Sequence, residues 1–122
     1  MAQAFSFTSD SVGAQTEVLT LEGKCGVSAA REAERWIIAT LDAGRTDIVF
    51  DLRGVSKLAP SVLNVLFRGM IQAKGKSGSL VLIRPNAYVW ALFEESGIDA
   101  KFASFQDLEH AFMKMPGPDD AL

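Results

Sequence analysis

Few side chains in this sequence have the type and spacing that chemistry requires. His110 is the one histidine and Cys25 the one cysteine. Together they cannot supply a zinc tetrahedron, and the carboxylates are not clustered to help them. No serine or cysteine elbow is evident to pair with His110 as a base. Set between Glu109 and Ala111 near the C-terminus, it reads as a surface or partly packed helix residue. Gly75-Lys76-Ser77-Gly78 looks like half of a phosphate-binding loop, but Met70 stands where that motif needs its first glycine. The segment also runs from helix into strand, the direction that points helix N–H groups away from a phosphate. Gly-x-Ser-x-Gly, Gly-x-Gly-x-x-Gly and His-Glu-x-x-His are all absent from the sequence. No catalytic set, cofactor or metal is therefore expected, and the chain is read as a non-enzyme.

Charge offers a second kind of chemistry. The net charge of −3 is too small for a long nucleic-acid surface. Between Asp51 and Glu94, however, no acidic residue occurs, while Arg53, Lys57, Arg68, Lys74, Lys76 and Arg84 do. These are either scattered, solvated side chains or a mildly electropositive surface for an acidic or phosphorylated partner.

The elements that must hold these groups follow from periodicity. Residues 5–8 alternate as an edge strand, residues 9–14 read as a turn, and residues 17–22 alternate again up to Gly23, predicting an antiparallel hairpin. Ser28 is the expected N-cap of a helix carrying Ala29, Ala33, Trp36, Ile37, Thr40 and Leu41, ended by Gly44. Residues 47–52 and 80–83 are nearly continuous apolar runs, the mark of strands buried on both faces. A loop over residues 53–59 leads to Pro60, placed where a helix begins because its missing N–H has no intrahelical partner there. That helix carries Leu63, Leu66, Phe67, Met70 and Ala73 and stops before Gly75. Val65, Val62 and Gly69 turn partly away from that face, either toward a partner or under a neighbouring element. Val89, Trp90, Leu92 and Phe93 mark a third helix ending at Gly97. Residues 101–105 read as a short strand or connector, and residues 106–115 as a last helix with Leu108, Ala111 and Phe112 inward. Residues 116–122 look like a frayed tail.

The order β-β-α-β-α-β-α-(β)-α requires right-handed crossovers and parallel later strands. The expected fold is thus α/β, one mixed sheet with an antiparallel N-terminal hairpin and about four helices. At 122 residues it is expected to form one domain. One cysteine, no N-terminal basic-then-apolar segment and no long apolar run point to a soluble, cytoplasmic protein.

Several stretches resemble one family. Residues 48–66, Ile-Val-Phe-Asp-Leu-Arg-Gly-Val-Ser-Lys-Leu-Ala-Pro-Ser-Val-Leu-Asn-Val-Leu, are similar to the central signature of STAS domains, the family of the anti-sigma factor antagonists. In that signature a buried strand ends in Asp-Leu, and Asp-Ser-Ser/Ala-Gly-Leu opens a helix after a short loop. Residues 78–85 (Gly-Ser-Leu-Val-Leu-Ile-Arg-Pro), 92–99 (Leu-Phe-Glu-Glu-Ser-Gly-Ile-Asp) and 105–111 (Phe-Gln-Asp-Leu-Glu-His-Ala) resemble the family's later strand and helices. Residues 18–23 resemble its leading strand. The likeness covers about residues 5–115.

The resemblance implies a bacterial partner-switching module of transcription regulation. Such a domain binds a serine-kinase anti-sigma factor of the histidine-kinase-like ATPase type, and is released when that kinase phosphorylates the serine at the helix start. This sequence departs from the pattern there: Ala59 stands at the Asp, Pro60 at the phosphorylated Ser, Ser61 at the next Ser and Val62 at the Gly. Either Ser61, or less readily Ser56, has become the acceptor, or the domain binds without this switch. The second reading is preferred, since Ser61 is turned about 100° from the first helical position and could instead bond to its own helix. The partner is expected on Ser56, Lys57, Ala59, Pro60, Ser61, Val62, Val65 and Arg68, with no nucleic acid and possible homodimerisation through the hairpin edge. The rival readings are a nucleotide or lipid-phosphate binder, using that helix start beside Arg53, Lys57 or Arg84, and an accessory subunit of a lipid transporter.

Overall fold

The computed structural model describes residues 4–114. A hairpin of β1 (Phe5–Val12) and β2 (Thr16–Cys25) leads into α1 (Val27–Asp42), β3 (Asp47–Leu58), α2 (Pro60–Gly75), β4 (Ser79–Ile83) and α3 (Ala87–Glu95). A 3-10 turn at Asp99–Lys101, the two-residue β5 (Ser104–Phe105) and α4 (Leu108–Lys114) complete it. The strands form one sheet in chain order, antiparallel between β1 and β2 and parallel elsewhere. This is the mixed sheet with four helices that the sequence predicts. Among the described residues no helix is long and apolar enough to cross a membrane.

The apolar runs of β3 and β4 are continuous because both faces are covered. Ile48, Phe50, Leu52, Leu80 and Leu82 pack with α1, α2 and α3. Val49, Val81 and Ile83 point the other way, onto Ala111 and Leu108 of α4 and Phe105. At the α1–α2 crossing, Gly69 allows close approach: a Cβ there would lie 2.8 Å from Ile37 Cδ1. Trp36 lies at the margin of the predicted helix face, 36% exposed, with its ring stacked on Phe7 at 5.7 Å.

Several boundaries differ from expectation. The predicted turn over residues 9–14 is strand as far as Val12; only residues 13–15 turn, with Gly13 at φ +67°. The predicted loop over residues 53–59 is mostly strand, because β3 continues to Leu58 alongside the end of β2. A bulge interrupts the ladder between Thr20 and Glu22. Across from it, Asp51 Oδ1 accepts from the Arg53 N–H at 3.1 Å, and the Arg53 guanidinium bonds both carboxylate oxygens. Ser28 is not the cap of α1: the N-cap is Gly26, and Ser28 lies inside the helix. The last helix starts at Leu108, with Asp107 Oδ1 accepting from the His110 N–H at 2.9 Å. Within it Ala111 is buried and Leu108 half-buried, but Phe112 is exposed, contrary to the inward placement expected. The predicted tail at residues 116–122 lies outside the described residues.

Two joints hold the end of the sheet where β3 begins. Arg45, in the α1–β3 connection, donates to the carbonyls of Gly13, Ala14 and Thr16 and lies 2.8 Å from Glu17 Oε1. Glu17 also accepts from Ser11 Oγ at 2.8 Å. On the other side, Gly78 passes so close to Thr46 that a Cβ would collide with its carbonyl group. The Gly75–Gly78 segment is thus a tight turn, with Ser77 left-handed at φ +61°.

Gly78→Ala is expected to lower stability by about 1–3 kcal/mol, since the backbone must shift to admit the methyl group. Gly75→Ala meets nothing within 4 Å and is expected to stabilise by up to about 1 kcal/mol, as alanine is the better helix former. Urea unfolding of both variants checks the pair.

Candidate functional site

The parallel pairing of β2 and β3 brings two helix starts together. Cys25 pairs with Leu58 at the end of the ladder, and the Ala59 N–H donates to the Cys25 carbonyl at 2.8 Å. One residue beyond each strand a helix begins: Gly26 caps α1 and Ala59 caps α2, with Pro60 in its first turn. Neither cap donates or accepts through a side chain, and neither first turn holds an acidic residue. By contrast, the α3 cap Asn86 accepts from the Val89 N–H at 2.9 Å. Free N–H groups and the positive ends of two helix dipoles therefore face the same side. Lys24 and Lys57 lie across from each other in the ladder and are both exposed.

These elements border an open groove of about 800 Å³. Phe5, Cys25, Val27 and Leu58 give it apolar walls; Lys24, Lys57, Ser28 and Glu32 give it polar ones. An apolar, net-positive groove beside two uncapped helix ends suits a partner segment that is apolar with an acidic group. It is poorly suited to nucleophilic catalysis. The Cys25 thiol is 2% exposed, and burial pushes its pKa from 9.0 up to about 11, so it is protonated at neutral pH.

The residues expected at the site divide into three groups. Ser56, Lys57, Ala59 and Pro60 gather at the end of β3, with Ser56, Lys57 and Pro60 exposed. Arg68 lies further along α2, exposed, and meets Glu34 of α1 at 3.0 Å. Val62 and Val65 are at 0% and 5% exposure, so their expected role as partner contacts is corrected: both belong to the buried core, and Val65 lies beside Glu34 and Ile37 of α1. The helix is buried on two sides, which a single-face reading of its periodicity misses. Ser61 is half-buried, and its Oγ is enclosed without a hydrogen-bond partner. The self-bonded serine expected as an alternative is not what the structure contains.

Sequence reasoning missed the α1 half of the groove: Lys24, Gly26, Val27 and Ser28. Only the long-range pairing of β2 with β3 brings them in. The six basic residues do not form one surface. Arg53 is bound by Asp51 at 2.7 Å and Arg68 by Glu34. Lys74 lies in the last turn of α2, and Lys76 caps it, at the helix end opposite Pro60. His110 is exposed, and its N–H and ring Nδ1 both bond Asp107, which holds the Asp107 carboxyl below its usual range.

A family model described as "Mlab, STAS domain" matches residues 9–108. No curated relative matches the chain. Among solved structures, the anti-sigma factor antagonist SpoIIAA in its unphosphorylated form superposes with a TM-score of 0.78 at 21% identity, covering 88% of this chain and 93% of that one. An anti-sigma factor antagonist from Mycobacterium paratuberculosis gives 0.80 at 17% identity, covering 93% and 95%. A murine solute carrier 26 anion transporter gives 0.68 at 15% identity, covering 82% of this chain and 17% of that one. At these identities the likeness is one of fold.

Two outcomes test the geometry. Ala59→Asp supplies the missing cap and a negative charge at the α2 dipole, and should raise stability by about 1 kcal/mol in urea titrations. The raised Cys25 pKa makes the folded state hold its proton longer than the unfolded chain does. Stability is therefore unaffected below the ordinary value of 9.0 and falls as pH rises toward about 11, by up to roughly 2–3 kcal/mol. Cys25→Ala should flatten that fall.

Proposed function

The chain belongs to the STAS domain family, and on that premise we propose that it is a non-catalytic regulatory protein-binding domain. It is an anti-sigma factor antagonist-like module that acts in the cytoplasm and lacks the usual phosphoserine switch. The observation that carries this reading is the start of α2. Pro60 occupies the first turn and has no hydroxyl, while the Ser61 Oγ behind it is enclosed. A kinase must bring an acceptor oxygen into line with the γ-phosphate, and the enclosed Ser61 Oγ must first turn outward to be reached. The partner is an anti-sigma factor of the histidine-kinase-like serine kinase type. It docks on Ser56, Lys57, Ala59 and Pro60 together with Lys24 and Val27, where the two helix dipoles and the lysines favour an acidic group.

A second reading has one observation in its favour. The same fold is found within a solute carrier anion transporter, so the same end of the sheet can be read as docking a transporter subunit.

The test is to incubate the purified chain with ATP and a kinase of that class encoded beside its gene, following intact mass and binding calorimetry. The expected result is a complex with no gain of ~80 Da (one phosphoryl group), weakened at least about tenfold by Lys57→Glu. A mass gain that disappears in Ser61→Ala would overturn the unswitched reading. Binding to a transporter subunit but not to the kinase would replace the first reading with the second.

A further inference from the structure

The two edges of the sheet are unlike. At one, β5 is only two residues long, and such shortness itself discourages further pairing. At the other, β1 runs eight residues from Phe5 to Val12 in unbroken register with β2, and among the described residues nothing pairs with its outer side. Proteins usually blunt a long free edge with lysine, proline or a bulge. This strand has none of these, and its one charged residue is Asp10.

Its pattern is complementary to itself. In an antiparallel pairing centred on Thr8, Thr8 meets Thr8, Ser6 meets Asp10, Phe7 meets Ser9 and Phe5 meets Ser11. No like charges face each other, and each carboxylate lies opposite a hydroxyl. On the helix side every phenyl ring lies opposite a serine, so large and small side chains alternate across the joint. Trp36, stacked on Phe7 and partly exposed, roofs this edge.

We propose that two copies of this chain join by antiparallel pairing of their β1 strands about Thr8, extending the sheet through both. The joint is remote from the groove at the helix starts and does not depend on what docks there.

Light scattering on the purified chain tests it. The wild type should have about twice the 13.2 kDa chain mass, and Thr8→Lys should halve it by opposing two ammonium groups. Thr8 is exposed, so that variant should keep the wild-type circular dichroism, while its melting temperature should lose the rise with protein concentration that association gives the wild type. Thr8→Cys should form an intermolecular disulfide under mild oxidation, since directly opposed residues bring their Cα atoms to about 4.5–5.5 Å. Ser6→Cys, opposite Asp10, should not. A wild type that stays at the single-chain mass at about 1 mM, where even weak pairs associate, overturns the proposal. So does a Thr8→Lys variant that keeps the doubled mass, or cross-linking by Ser6→Cys as complete as by Thr8→Cys.

Discussion

The hydrogen bond from the Ala59 N–H to the Cys25 carbonyl is the joint on which the functional end of this molecule depends. It closes the parallel ladder of β2 and β3 at the point where both strands give way to helices. A parallel pair aligns its strand ends, so consecutive crossovers begin on one side of the sheet. The Arg53–Asp51 contact lets β3 absorb a bulge and still reach that joint. Without the added length from Arg53 to Leu58, α2 would begin lower on the sheet and only one helix end would face the groove. The charge character of the site thus follows from backbone register more than from any ionised side chain.

Packing between the helices reinforces this arrangement. Gly69 lets α2 press on Ile37, Val65 lies in the same contact, and Val62 is buried in the core below it. The helix start is consequently buried at its base and bare at its tip. Ser61 lies in that first turn, half-buried, with its Oγ enclosed and unpartnered. Departure from the family signature at Ala59-Pro60 and enclosure at Ser61 point the same way.

Much of the fold was legible in the sequence, and the reasons are local. Continuous apolar runs reported the doubly covered strands β3 and β4, and Pro60 reported the start of α2 because its chemistry admits few other places. The misreadings share one cause. Arg53-Gly54 looks like a turn in isolation, and only the partner strand shows that it is a bulge. Ser28 is a good cap by type, but the chain enters α1 two residues earlier because the ladder ends at Cys25. Val62 and Val65 looked available because one periodic face was assumed where the helix has two buried ones. In the candidate site, the β3–α2 half could be read from residues close in sequence. The β2–α1 half could not, since nothing local to Lys24 or Val27 announces Lys57 as a neighbour.

Arg45 bears on how the chain finds this structure. Its side chain joins the carbonyls of the hairpin turn across some thirty positions of sequence. Pairing of β2 with β3 closes a loop of the same size, so once these strands are joined the guanidinium engages at little further cost in chain entropy. It is then a strap that ties the tip of the hairpin to the start of β3.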